Sequence, residues 1–420
     1  MLRCISAWQP YLHCTHDRII RDSTLTYTLR LGVPRYGLVI NGQLPGPLVE
    51  ANWGDDIVVH LTNKLQNNGT SLHWHGLRMN GTNEYDGVPS ITQCALAPGE
   101  SQTYRFKATS YGTSWYHSHF AIQTYEGVFG PMIIHGPHSK QYDIDSGMFI
   151  LQDWSHVPVD QMYDAAQTVG PSPQNGPRVL DTGLINGKNI WGSGANSTGS
   201  RFETTFVPGK THLLRVVNTA IQSTFKFHLD GHKFTVISAD FVSIKPYTTD
   251  ILNINIGQRY NILVTADQTP GDYWLRSDNQ QSCAQLTNSR DIKAIVHYAG
   301  HTGTPTSVGR NYTDACVDEP YASLVPIVPI NAGAEEDEIH KTVLIGPGPQ
   351  TPTLFKWTLD GTTFQSQWGD PTLQSIKNNG TIPTYSGNLA IELPRLHEWV
   401  YIIIESPIPL PHPIHLHGTY

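Results

Sequence analysis

The sequence predicts an all-β protein made of Greek-key sandwiches or barrels. Three observations carry that prediction. Short runs rich in Val, Ile, Thr and aromatic residues recur along the chain, Gly, Pro and Asn punctuate them, and no long stretch repeats at the helical period. Taken in order, Tyr36 to Ile40 reads as a strand closed by Asn41-Gly42, and Asp56 to Leu61 as the next. Ser101 to Phe106 and Pro131 to Ile134 follow, then Thr211 to Val217 and Tyr260 to Val264. Regularly spaced strands of this kind suggest β-sandwiches or Greek-key barrels.

At 420 residues the chain exceeds one ordinary domain. Gly136 to Asp145 is polar and reads as a linker, as does the Gly/Thr/Pro-rich stretch Gly300 to Gly309 with the acidic tract around Glu335 to Glu338. The expected domains are residues 20–137, 146–300 and 340–420, the last short beside the others. A weak internal repeat supports the division. His73-Trp74-His75-Gly76 returns as His415-Leu416-His417-Gly418, and Ile40-Asn41-Gly42 returns as Ile185-Asn186-Gly187.

Composition narrows the function. The formal net charge of -8 argues against a nucleic-acid surface, which needs a basic stripe. Trp399 to Ile404, the longest aliphatic-aromatic run, is too short to span a bilayer. Twenty His against five Met point towards metal. The five cysteines, Cys4, Cys14, Cys94, Cys283 and Cys316, form no C-x-x-C pair, which disfavours a zinc ribbon. Five N-x-S/T acceptors, at Asn68, Asn80, Asn196, Asn311 and Asn379, fit an exported glycoprotein. Residues Met1 to His16 hold no apolar core of signal-peptide length, which conflicts with export and leads us to expect an altered N-terminus.

The chemistry lies in three histidine motifs: His73-Trp74-His75, His117-Ser118-His119, and His412-Pro413-Ile414-His415-Leu416-His417. In extended backbone, residues i and i+2 share a face. Each H-x-H therefore offers two imidazoles to one side, and three converging pairs would supply six nitrogens. A lone H-x-H is weak evidence and is usually a chance pair; three together are not. His412 stands at an odd offset from His415, and Pro413 restricts it to extended geometry, so it should face away. All-imidazole ligation suits copper, zinc, iron or nickel. Zinc usually takes four ligands, so a multinuclear copper or iron cluster fits the count better.

The stretches Ser71-Leu72-His73-Trp74-His75-Gly76, Gly112-Thr113-Ser114-Trp115-Tyr116-His117-Ser118-His119 and His412-Pro413-Ile414-His415-Leu416-His417-Gly418 resemble those of multicopper oxidases, and their flanks resemble ascomycete-type laccases most closely. The resemblance runs from about Leu25 to the last residues. It implies three cupredoxin-like domains, the third incomplete here. It implies oxidation of a phenol or similar reductant at a type 1 copper, with four electrons passed to a trinuclear cluster that reduces dioxygen to water. By the same resemblance His73 and His415 would bind the type 2 copper, His75, His117, His119 and His417 the type 3 pair, and His412 the type 1 copper. Asp86, in Tyr85-Asp86-Gly87-Val88, resembles an aspartate that supplies protons beside the cluster; from the sequence alone Asp86-Gly87 reads as a plain turn. A Cys283–Cys316 disulfide, a secreted monomer, and partners limited to a small phenolic reductant and dioxygen are implied as well.

Departures from the family pattern set further expectations. Its His-Cys-His motif should lie beyond residue 420, and none of the five cysteines has a His on both sides. A blue copper site needs a Cys thiolate with two His, so the chain as written is expected to be a truncated, impaired oxidase. Cys94 would then lack its partner, while Cys4 and Cys14 would have only each other. Where ascomycete laccases place a substrate-facing carboxylate, this chain has Gln222. Three readings follow: a laccase-like phenol oxidase, a phenol-coupling oxidase of a fungal secondary-metabolite pathway, or a non-catalytic chain that binds some copper.

Overall fold

The computed structural model describes residues 11–15, 19–20, 26–28, 33–168, 178–331, 333, 337–348, 351–380, 390, 393, 399–408 and 411–418. It is all-β, as expected. Its described helices are short: Gln123–Glu126, Val159–Gln167 and Thr372–Asn379. No helix among the described residues is long and apolar enough to cross a membrane.

Two larger sheets form the core of the first region, beside a two-stranded pair of Thr26–Thr28 with Pro34–Tyr36. One runs Val49–Asn52, Phe129–His135, Gly112–His117, His73–Trp74. The other is centred on Asp56–Lys64, which pairs antiparallel with Ser101–Lys107 and parallel with Tyr11–Thr15. Inward residues of both meet in one core that includes Val49, Ile57, Val59, Trp74, Tyr104, Tyr116 and Met132. Along Val49–Asn52 burial alternates residue by residue, the period-2 signature of a strand with one face on a core.

The second region repeats the plan on a larger scale. A six-stranded sheet, Thr182–Ile185, Ile144–Trp154, Thr211–Asn218, Arg259–Thr265, Phe234–Ala239 and Val242–Thr249, packs on a five-stranded sheet that includes Asp272–Asn279 and Lys293–Tyr298. Phe149, Phe206, Phe225, Phe227 and Tyr260 fill the space between. The recurring Asn-Gly pairs are turns in both regions: Asn41 and Gly42 have φ of 52° and 75°, and Asn186 and Gly187 have 49° and 69°. Two successive positive φ values define the tight hairpin turn that Asn-Gly favours.

Among the described residues the third region holds one sheet, Thr351–Leu359, Asp337–Gly348, Val400–Glu405. Parallel pairing of Asp337 with Val400 draws the end of the acidic tract into a strand, where the sequence suggested a linker. Ile345, Phe355, Trp357, Ile402 and Ile404 on this sheet are exposed. The five N-x-S/T asparagines are all exposed too, as glycan acceptors must be.

Cys283 and Cys316 form a disulfide, as the resemblance implied. Cys94 is an exposed free thiol. The suggested Cys4–Cys14 pairing lies outside the described side chains.

Candidate metal centre

Strand register sets the site. The antiparallel pairing of His73–Trp74 with Gly112–His117 puts His73 directly opposite His117. Cross-strand neighbours share a face, and their rings lie with centroids 5.3 Å apart. Both strands end at the site, so His75 and His119 lie just past the strand ends and close around the same point. The His73 ring is 5.9 Å from that of His75 and 5.7 Å from that of His119. The last motif arrives from the far end of the chain. His415 stacks on His75 at 4.0 Å, and His417 lies 4.1 Å from His73 and 5.1 Å from His119.

Six of the seven predicted imidazoles therefore converge: His73, His75, His117, His119, His415 and His417. Nitrogens of His73, His75 and His117 lie within 4.8 Å of one another, as do those of His73, His415 and His417. His412 stands apart, its ring 4.8 Å from that of Trp357. The odd-offset argument assumed a strand here, and none forms, because Pro411 and Pro413 withhold N–H donors.

Hydrogen bonds select which nitrogen is free. His73 Nδ1 donates to the Asp86 carbonyl oxygen at 2.8 Å. That leaves His73 Nε2 as a bare lone pair, fully buried with no protein partner. His117 Nδ1 donates to the Ser118 carbonyl at 3.0 Å, so its Nε2 points at His75 Nδ1, 3.3 Å away. His417 Nδ1 lies 2.9 Å from Asp86 Oδ2. Such outer partners fix tautomer and ring orientation in metal sites.

Burial favours the neutral form of five of these imidazoles. It pushes His75 and His117 well below the ordinary histidine range, aided at His75 by the Arg259 guanidinium and at His117 by His73. It also lowers His73, and brings His119 to about 4 and His415 to about 3. Neutral imidazole is the form that binds metal. A buried orphan lone pair, neutral rings and more nitrogens than one zinc uses together fit a multinuclear copper site.

Asp86 does more than turn the chain. Burial would raise its carboxyl, but the hydrogen bond from His417 and the contact with His73 outweigh burial and hold it well below the usual carboxylate range. Gly87 permits this approach. Its φ is +80°, and a Cβ there would lie 1.7 Å from the Leu72 carbonyl oxygen, immediately before His73. Sequence reasoning missed several supporting residues. Trp115 packs on the rings of both His75 and His117, and its place inside the second motif was a usable signal. Thr124, on helix Gln123–Glu126, touches His117 Nδ1 at 3.2 Å. Arg259 of the second region is buried against Gly76, a contact that no local pattern announces.

Three family models, each described as multicopper oxidase, match residues 23–139, 145–301 and 347–420. The chain belongs to the multicopper oxidase family. This makes it a copper-dependent oxidoreductase of laccase-like lineage, and its sandwiches are cupredoxin-like. Laccase-1 of Botryotinia fuckeliana is 45% identical over 405 residues, covering 95% of this chain and 68% of that protein. Dihydrogeodin oxidase of Aspergillus terreus is 37% identical, covering 92% of this chain and 69% of that protein. The crystal structure of the laccase from Botrytis aclada superposes with a TM-score of 0.86 at 38% identity, covering 97% of this chain and 73% of that one.

Proposed function

We propose that this oxidoreductase takes electrons from phenols and uses them to reduce dioxygen to water. The observation that supports this best is the convergence of six imidazoles around buried, unpartnered His73 Nε2. In this reading His73 and His415 hold one copper, His75, His117, His119 and His417 hold a pair, and His412 holds a separate copper nearer the reductant. Copper bound there would supply one-electron redox steps, four phenols each giving up one electron and one proton to match the four electrons and four protons that dioxygen needs.

The chain's own residues do the rest. Trp115 and the sandwich core wall the cluster from one side and limit water. Asp86 orients His73 through its main-chain oxygen and His417 through its side-chain Oδ2. Its second assigned role, carrying protons, suits a carboxylate beside a site that consumes four of them. For the reductant, a cleft of about 650 Å³ opens between helix Val159–Gln167 and strand Thr351–Leu359. Trp357 lines it and packs on His412 behind. We also propose domain limits at 20–137, 146–300 and 340–420, and a secreted monomer.

An oxygen electrode tests the reaction. Copper-loaded chain is supplied with ascorbate as a direct electron source. The proposal predicts oxygen uptake without peroxide, so that added catalase returns no oxygen, and loss of this behaviour in His73→Ala/His117→Ala. Peroxide yields equal to those of free copper would refute it.

A further inference from the structure

Among the described residues, the walls of the cleft carry charge of one sign. Tyr163, Phe355, Trp357 and Phe364 supply aromatic faces. The only charged residues among its described lining are Arg178 and Lys356, both cationic. Lys356 Nζ has a neutral contact, Gln167 Oε1 at 3.4 Å. Gln222 occupies the wall and donates from Nε2 to the Arg178 carbonyl at 3.0 Å. An acid does sit behind that wall, but Asp153 accepts the backbone N–H groups of Ile221, Gln222 and Ser223, so it holds the loop together and does not face the cleft. Asp160 and Asp164, on the helix beside the cleft, are exposed and do not line it. Residues 169–177, which precede Arg178, contain no charged residue.

We infer that the cleft selects anionic aromatics, phenols bearing a carboxylate, over their neutral counterparts. This rests on the phenol-oxidase reading for its place in a reaction, though binding itself needs no copper. The aromatic faces take the ring. Arg178 and Lys356 attract the carboxylate, and Gln222 adds no opposing charge. A cleft lined by one sign of charge with apolar walls concentrates the opposite ion.

The test compares 4-hydroxybenzoate with methyl 4-hydroxybenzoate, which differ by the charge, by isothermal titration of the full chain. Partly exposed charges predict a modest effect: the acid should bind about three- to tenfold tighter than the ester in low salt, and the gap should shrink in 0.5 M NaCl. Lys356→Gln and Arg178→Gln should each weaken the acid about three- to fivefold and leave the ester unchanged. Gln222→Glu should weaken the acid similarly. Unchanged ester affinity shows that each variant is folded, and the salt dependence tests the wild type without any variant.

Equal affinities, a preference for the ester, a preference that survives Arg178→Gln/Lys356→Gln, or no binding of either ligand would overturn the inference. Copper content measured on the same samples separates the two ideas. Copper uptake without charge preference sinks the selectivity alone, and charge preference without copper uptake sinks the oxidase reading.

Discussion

Replacing Asp86 with Asn should loosen copper while leaving the chain folded. The carboxylate accepts from His417 Nδ1 through Oδ2 at 2.9 Å, while Oδ1 lies 3.2 Å from His73 Nδ1 as a charge contact without a hydrogen bond. An amide has one acceptor oxygen, and its NH2 would face the second N–H as a like donor. His73 keeps the Asp86 main-chain oxygen whatever the side chain. The amide oxygen should therefore turn to His417, with the NH2 repelling His73. Charge-assisted bonds of this kind contribute about 1.5–3 kcal/mol. Loss of an outer partner typically lowers metal affinity about 10–100-fold, or about 1.4–2.8 kcal/mol. Competition against a chelator at pH 7, with a thermal melt of the metal-free protein alongside, measures both effects. Copper affinity within twofold of wild type would refute the view that Asp86 orients the ligands.

Three further predictions follow from the same geometry. Gly87→Ala adds a Cβ at 1.7 Å from backbone in a positive-φ residue, so the loop must shift. We expect about 2–4 kcal/mol lost in urea unfolding together with weakened copper, and unaltered stability would contradict the packing described. Acid should destabilise the metal-free protein. His119, lowered to about 4 by burial, cannot take the proton that the unfolded chain accepts near 6.5, so stability present above pH 6.5 is lost as pH falls towards 4, by at most about 3 kcal/mol. The carboxylate of Asp86 acts in the same direction lower down, and a flat melting profile between pH 7 and 4 would count against the burial of these groups. His412→Ala should leave copper at the six-histidine cluster unchanged, because His412 packs on Trp357 instead; cluster copper that falls with this variant would show the two sites to be one.

Much of the cluster was legible because strand geometry is simple. An i, i+2 pair shares a face, and a register that sets His73 opposite His117 brings two such pairs together. The all-β class was legible for a related reason, since short runs of β-favouring residues and Asn-Gly turns are local signals. What could not be read depends on contacts between distant segments. Arg259 against Gly76 and the cleft beside Gln222 each join residues from separate parts of the chain. Asp86-Gly87 read as a turn, and it is one; its importance appears only when the missing Cβ of Gly87 is seen against Leu72. The acidic tract read as a linker because its strand partner, Val400–Glu405, is remote in sequence.

Copper content and ligation of the purified chain test the central claim most directly. Copper titrated at pH 7 should bind more than one equivalent, with an X-ray absorption spectrum showing imidazole nitrogen ligands. Uptake should collapse in His73→Ala/His117→Ala while the fold persists by circular dichroism. Absence of tight copper, or uptake unchanged in that double variant, would contradict the assignment of these histidines to a copper cluster.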